Sequence, residues 1–120
     1  PWSVEGLKEM FHTEGYCSFL AKEEEEVIGY VGMKMVLDEA DITNVAVLPS
    51  HRKKGIAGKL LKQLLEEAKK QNLHSIYLEV RASNIAAVTL YEHAGFKEVG
   101  QRKNYYNNPR EDARLMLWEA

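Results

Sequence analysis

The sequence predicts one α/β domain with a mixed sheet, and three observations lead to this fold class. Strand-like segments are separated by stretches whose apolar residues recur at helical spacing. At 120 residues the chain is long enough to bury one core. Neither an internal repeat nor a linker-like composition divides it. We therefore expect residues 1–120 to form a single domain.

The first third of the chain predicts a short helix followed by a β-hairpin. Ser3 can cap a helix whose apolar side chains follow at helical spacing. Those side chains are Val4, Leu7, Met10 and Phe11. Two strand-like segments, residues 16–21 and 27–37, then flank the polar tract 22–26. Because charge runs are usually solvated, we interpret this acidic tract as a hairpin tip rather than a recognition patch.

A third strand and a long helix follow. The run from Ile42 to Leu48 stops at Pro49, which cannot donate to a sheet ladder. From residue 56 the apolar positions are Ile56, Leu60, Leu61, Leu64, Leu65 and Ala68. The polar positions are Lys62, Glu66, Glu67, Lys69 and Lys70. This two-sided pattern predicts an amphipathic helix packed on the sheet.

The second half predicts a strand, a helix and two more strands. In residues 75–81, Ile76, Leu78 and Val80 alternate with Tyr77, Glu79 and Arg81, so that Glu79 leaves the strand opposite the aliphatic face. Ser83 or Asn84 then caps a helix that stops at Gly95. Residues 96–106 and 112–118 are the last strands, joined by a turn at 107–109.

Composition excludes several classes of protein. The formal net charge is −2 and the pI about 6.1, so there is no global basic field for nucleic acid. The single cysteine, Cys17, cannot form an internal disulfide and is expected in the core. No apolar run reaches the roughly 18 residues that span a bilayer, and the four histidines lack metal-ligand spacing. We expect a cytoplasmic protein without a metal or a membrane partner.

The turn His51–Leu61, with the sequence HRKKGIAGKLL, predicts an anion site. The first N–H groups of a helix lack partners, and Gly55 and Gly58 let a phosphate approach them. Cationic side chains add charge at the rim: Arg52, Lys53, Lys54 and Lys59. Neither a P-loop nor a dinucleotide fingerprint fits this spacing. From these eleven residues alone, a tight loop with solvated lysines is an equally good interpretation.

Several motifs in order resemble one family. VAVLPSHRKKGIAGKLL is similar to the acetyl-CoA signature of the GCN5-related N-acetyltransferases. LEVRASN, LYEHAGF, NYY and EDA resemble the subgroup that acetylates alanine on ribosomal proteins. The resemblance implies a mixed, mostly antiparallel twisted sheet flanked by helices, with a splayed strand pair that forms the acetyl-CoA cleft. The family's usual first strand and helix lie upstream of a Pro-Trp-Ser like that of residues 1–3, and are expected to be absent here.

The resemblance also implies roles for individual residues. The backbone of Val45, Ala46 and Val47 would pair with the pantetheine arm of acetyl-CoA. The pyrophosphate would bind at Arg52, Lys53, Lys54, Gly55, Ile56, Ala57 and Gly58. Asn84 would contact the coenzyme as well. Glu79 and Tyr91 would be the general base and the general acid. Tyr105 and Tyr106 would line the acceptor groove.

Alternatives remain at this stage. Glu79 could pair with Arg81 on the same strand face, and Tyr91 could simply pack on the sheet. Tyr105 and Tyr106 should point to opposite faces of their strand. The function that the resemblance implies is acetylation of a protein N-terminus, such as that of a ribosomal protein, by a monomer or homodimer. Acetylation of lysines or small amines, or coenzyme binding without catalysis, are the alternatives.

Overall fold

The computed structural model describes residues 2–6 and 15–120, which form seven strands and two α-helices. The strands are β1 Ser3–Gly6, β2 Tyr16–Glu23, β3 Glu26–Val36, β4 Glu39–Val47, β5 Ser75–Arg81, β6 Lys97–Tyr106 and β7 Glu111–Glu119. The helices are α1 Ile56–Lys70 and α2 Ile85–His93, and a 3₁₀ turn spans Pro49–His51. None of the helices in this described part is long and apolar enough to cross a membrane.

All seven strands belong to one sheet in the order β1-β2-β3-β4-β5-β7-β6. Every pair is antiparallel except β4 with β5, which α1 connects as a crossover. Two consecutive parallel strands need such a crossover because the chain must return to the same end of the sheet. The predicted mixed, mostly antiparallel sheet with flanking helices is therefore confirmed.

The core lies between α1 and the sheet. All six apolar positions predicted on this helix are buried: Ile56, Leu60, Leu61, Leu64, Leu65 and Ala68. The helix approaches β3 closely at Gly29, where a Cβ atom would lie 3.0 Å from Ile56 Cγ2 and 3.1 Å from Leu60 Cδ1. Glu67 departs from the predicted polar face because it is buried, with Gln71 donating a hydrogen bond to its carboxylate over 2.9 Å.

The other helix and strands follow the predicted pattern. Asn84 caps α2, and Gly95 has a positive φ of 103° just after it. In β5 the predicted aliphatic face is buried, and Cys17 is fully buried in β2. The acidic hairpin tip is confirmed, since residues 24–26 are exposed where β2 turns into β3.

The predicted first helix is wrong over Ser3–Gly6, which form β1. This segment pairs antiparallel with β2, from Ser3 opposite Lys22 to Gly6 opposite Phe19. The open edge of β2 offers a full row of backbone partners, which outweighs one good capping residue in a short segment. The remaining positions of that predicted helix, residues 7–11, lie outside the described residues.

Candidate functional site

The sheet opens between β4 and β5. These parallel strands pair only from Glu39 opposite Ser75 to Asp41 opposite Tyr77. Beyond this point β4 continues to Val47 and β5 to Arg81 without mutual pairing in the described strands. The two strands therefore diverge and leave a gap between them that both faces of the sheet can reach.

On the face that carries α1, a cleft of about 680 Å³ fills this gap. A cavity of this size suits a large organic cofactor. Most residues predicted to hold the coenzyme line it: Val45, Ala46, Val47, Arg52, Lys53, Gly55, Ile56, Ala57, Gly58 and Asn84. Lys54 belongs to the same loop and is exposed, but it does not line the cleft.

The β4 wall of the cleft presents backbone groups. The Leu48 N–H donates to the Ile28 carbonyl over 2.9 Å, and β4 pairs with β3 without a register shift from Asn44 to Val47. Hydrogen-bonded and non-hydrogen-bonded pairs alternate along an antiparallel ladder. The N–H and C=O groups of Val45 and Val47 therefore face the gap, whereas those of Ala46 face β3. Extended polar chains, such as an amide-containing arm, can pair with such an edge.

The start of α1 forms one end of the cleft. Gly55 is its N-cap, with φ of 76°, and no side chain caps the first turn. That turn also lacks an acidic residue. Unpaired N–H groups and the positive end of the helix dipole therefore meet at Ile56, Ala57 and Gly58, where an anion is favoured.

The basic side chains around this turn have different partners. Arg52 Nε donates to the Val47 carbonyl over 3.2 Å and so ties the turn to β4. Lys59 does not contribute to the cleft lining, because its ammonium lies over the Trp2 ring, 5.4 Å from the centroid. His51, to which the sequence assigned no role, lines the cleft and is held by Glu23, with Nε2 3.1 Å from Oε1.

Helix α2 supplies the opposite wall. The Asn84 side chain accepts a hydrogen bond from the Ala87 N–H over 3.1 Å, which positions the start of the helix. Tyr91 lies in the last turn, with only 8% of its surface exposed, and its ring packs edge-on against Phe96. Burial raises the pKa of the Tyr91 hydroxyl above 10.0, and the neighbouring Tyr106 adds to this shift. The hydroxyl is therefore protonated at neutral pH.

The other face of the sheet carries a second groove. Its lining comes from β4, β5, β6 and β7: Asp41, Ile42, Thr43, Tyr77, Leu78, Glu79, Arg102, Tyr105, Tyr106 and Leu115. The sequence predicted Glu79 and the tyrosine pair here, but not Arg102 or Tyr77. Glu79 is opposite the buried face of β5, as its alternation predicts.

The tyrosine pair departs from expectation. Tyr105 and Tyr106 do not point to opposite faces, because their rings are in edge-on contact with centroids 5.0 Å apart. The register of β6 shifts between Arg102 and Tyr106, and Asn104 has a positive φ of 53°. This irregularity breaks the alternation of a regular strand.

Glu79 pairs with Arg102 and not with Arg81. Arg81 binds elsewhere, with Nη1 3.4 Å from Glu111 Oε1 and its guanidinium over the Tyr106 ring. Arg102 instead reaches over β7, and its Nε lies 2.8 Å from Glu79 Oε2. That oxygen is buried and accepts no well-aligned hydrogen bond among the described residues.

The two candidate catalytic groups therefore lie on opposite faces of the sheet. Tyr91 lines the cleft beside α1, whereas Glu79 lines the groove behind it. They approach each other at β5, where Val80 faces the cleft and Glu79 faces the groove. Burial, and after it the charge of Glu79, raises the pKa of Tyr106, and Tyr106 in turn contributes to the raised pKa of Tyr91.

The structure gives no indication of a metal site in the part that it describes. Residues 2–6 and 15–120 contain no group of three or more His, Cys, Asp or Glu side chains that could hold a metal ion.

A splayed parallel strand pair, an uncapped glycine turn and a cleft across the gap form the arrangement that the resemblance to the GCN5-related N-acetyltransferases implies. The model of the acetyltransferase (GNAT) family matches residues 1–96, and the chain belongs to this family of acyltransferases. The match covers the glycine turn before α1, and α1, β5 and α2 themselves.

Relatives with named activities cover nearly the whole chain. The chain is 38% identical over 118 residues to the [ribosomal protein bS18]-alanine N-acetyltransferase of Escherichia coli strain K12, covering 97% of this chain and 79% of that protein. The Haemophilus influenzae enzyme of the same name is 40% identical over 119 residues, covering 97% of this chain and 80% of that protein.

Solved structures give the same result. The crystal structure of the Escherichia coli ribosomal-protein-S18-alanine N-acetyltransferase superposes with a TM-score of 0.91 at 30% identity, covering 99% of this chain and 94% of that one. A putative streptothricin acetyltransferase from Bacillus anthracis, solved with acetyl coenzyme A, has a TM-score of 0.81 at 26% identity, covering 93% and 66%.

Proposed function

We propose that the chain transfers an acetyl group from acetyl-CoA to the N-terminal amino group of a protein, with the alanine of ribosomal protein S18 as the candidate acceptor. The observation that carries the proposal is that the cleft and the groove lie on opposite faces of one open sheet. One suits a pyrophosphate and an amide-containing arm, and the other holds a carboxylate beside three tyrosines. The names of the relatives supply the acceptor.

Acetyl-CoA would bind in the cleft beside α1. Its pyrophosphate fits the uncapped N–H groups at residues 56–58, with Arg52 and Lys53 nearby. The arm would pair with the backbone of Val45 and Val47 and bring the thioester to the gap between β4 and β5. Asn84 would close the cleft from the start of α2.

The acceptor amine would enter from the groove. Glu79 removes a proton from the ammonium, directly or through water, and the amine nitrogen attacks the thioester carbonyl. The carbon–sulfur bond breaks as the nitrogen loses its second proton to solvent, and the Tyr91 hydroxyl donates its hydrogen to the departing thiolate and is then reprotonated from solvent. The products are the acetylated N-terminus and CoA, and the reaction needs no covalent enzyme intermediate.

The chemistry favours an α-amine over a lysine. An α-ammonium has a pKa of about 8, whereas that of a lysine is about 10.4, so deprotonating lysine costs about 3 kcal/mol more at the same pH. A carboxylate base such as Glu79 removes a proton more readily from the ammonium of lower pKa. It is therefore better matched to the α-amine.

A peptide panel tests the acceptor. The panel holds an alanine-first peptide with one internal lysine, its N-acetylated form and its lysine-free form. Product mass spectra should show one acetyl group on the N-terminus of the first and third peptides and none on the second. Equal rates on the free and blocked peptides would favour the alternative, which is acetylation of lysines or small amines.

A further inference from the structure

The contact between Arg102 and Glu79 is placed where the acceptor should bind. Glu79 Oε2 is the atom that a reacting ammonium would approach, and Arg102 Nε already lies 2.8 Å from it. The oxygen is buried and accepts no well-aligned hydrogen bond in the described part of the chain. The guanidinium thus compensates the charge of the carboxylate without satisfying its hydrogen-bonding capacity.

Arg102 can leave this position at little cost when another cation takes its place. Its side chain is 58% exposed, whereas that of Glu79 is 25% exposed. It extends from β6 over β7, and its guanidinium also lies 5.6 Å from the centroid of the Tyr105 ring. Exposed ion pairs contribute little to stability, and a cation near an aromatic ring has a second favourable position at hand.

We infer that Arg102 is a positioning residue that occupies the ammonium site of Glu79 until the acceptor amine displaces it. This inference rests on the proposed function, because it takes Glu79 as the base. In the free enzyme the guanidinium holds the carboxylate oriented towards the groove. When a peptide binds, its ammonium replaces Arg102, which then lies against Tyr105 at the groove mouth.

Displacement has a cost that only a cationic acceptor repays. A neutral or blocked N-terminus cannot compensate the buried oxygen of Glu79, so it would leave Arg102 in place. Arg102 therefore increases selectivity for acceptors that carry a positive charge at the reacting nitrogen, and it reduces their apparent affinity.

The test compares Arg102→Gln with the wild-type chain and with Lys103→Gln, which removes an exposed charge from the next position. Binding of a free alanine-first peptide and of its N-acetylated form is measured by calorimetry on the CoA-loaded protein. Arg102→Gln should bind the free peptide about two- to five-fold more tightly. Its affinity for the acetylated peptide, and both affinities of Lys103→Gln, should be unchanged.

Two further variants separate competition from a structural role. Arg102→Lys, which keeps a positive charge, should restore part of the wild-type affinity and KM. In a Glu79→Gln background, Arg102→Gln should have no effect on peptide binding, because the carboxylate for which Arg102 and the peptide ammonium compete is absent. An equal gain for both peptides, a loss of affinity, or the same effect with and without Glu79 would overturn the inference. If the wild type acetylates no free N-terminus at all, the proposed function fails instead.

Discussion

At the residue scale, Glu79 and Tyr91 are separated by the sheet, and this separation makes their substitutions distinguishable. Glu79→Gln keeps the size of the side chain but removes the base, so kcat should fall by about 10²–10⁴-fold. Because Glu79 lies in the groove and not in the cleft, acetyl-CoA affinity should be unchanged. Steady-state kinetics and calorimetry measure the two quantities.

The matched control for this variant is Glu98→Gln. Glu98 pairs with Arg114 on β7 and lines neither the cleft nor the groove. Its kcat should stay close to that of the wild type. A Glu79→Gln variant that is as active as this control would remove Glu79 from the mechanism.

Tyr91 gives a prediction about pH. Burial raises the pKa of its hydroxyl above the usual 10.0, with a contribution from Tyr106, so Tyr91 should ionise at a higher pH than an exposed tyrosine. The difference in ultraviolet absorbance between the wild type and Tyr91→Phe should therefore show a phenolate transition displaced to higher pH. Phenylalanine preserves the contact with Phe96, so the folds should match. Ionisation of Tyr91 near pH 8 would contradict this account.

At the element scale, substitutions of the two glycines at the start of α1 should affect the stability of the fold and the binding of CoA differently. Gly55 has a φ of 76°, so Gly55→Ala should destabilise the fold by about 1–2 kcal/mol although its Cβ meets open space. Gly58 is helical, and its Cβ would make only an ordinary contact with Leu90 at 3.8 Å. Gly58→Ala should therefore stabilise the helix by about 0.5–1 kcal/mol.

The coenzyme should respond differently to the second substitution. Gly58 lines the cleft, so a methyl group there obstructs an anion at the helix N-terminus. Thermal unfolding should give a raised Tm for Gly58→Ala together with weaker CoA binding. An affinity equal to that of the wild type would place the pyrophosphate elsewhere.

Glu111 links two segments that shape the site, and it should make the stability of the fold depend on pH in the acidic range. Its Oε2 accepts the Ser83 N–H over 2.6 Å, and Arg81 lies beside its Oε1. The hydrogen bond from Ser83 and the charge of Arg81 lower the pKa of Glu111 below 4.5 in the folded state. The unfolded chain therefore takes up this proton first as pH falls.

Because the unfolded chain is protonated first, a falling pH lowers the stability that Glu111 contributes to the fold. The contribution of Glu111 is fully present above about pH 4.5 and is lost as the pH falls through the lower folded value. Glu111→Gln should lower Tm at pH 7 and flatten its decline between about pH 5 and pH 3. Parallel Tm curves for the two proteins would show that Glu111 makes no such contribution.

Local patterns predicted most elements because each depends on neighbours in sequence. The apolar spacing of α1, the alternation of β5 and the Asn84 cap are decided within a few residues. The strand Ser3–Gly6 was not predicted, because it forms by pairing with the edge of β2, and the local sequence does not reveal that edge.

The site was less predictable than the fold for the same reason. The glycine turn before α1 can be recognised from a local motif. The contact of Arg102 with Glu79, in contrast, depends on the strand order β5-β7-β6. The ring contact of Tyr105 with Tyr106 depends on the register shift in β6. Neither a strand order nor a register shift can be derived from the spacing of residues within one strand.

At the scale of the whole molecule, the open sheet would keep acetyl-CoA and its acceptor on opposite faces until they meet at the gap, as the proposed function requires. The gap exists because β4 and β5 pair only from Glu39 to Asp41 and from Ser75 to Tyr77. Helices α1 and α2 shape one side of the opening, and β6 and β7 shape the other. The two substrates therefore need not compete for one entrance.

A crystal structure of the protein with CoA and an alanine-first peptide tests this arrangement most directly. The account predicts pyrophosphate density at residues 55–58, the CoA sulfur beside the Tyr91 hydroxyl, and the peptide nitrogen beside Glu79 on the opposite face. Arg102 should be displaced from Glu79 in the same complex. Density for both ligands on one face of the sheet, or for CoA away from the Gly55–Gly58 turn, would contradict it.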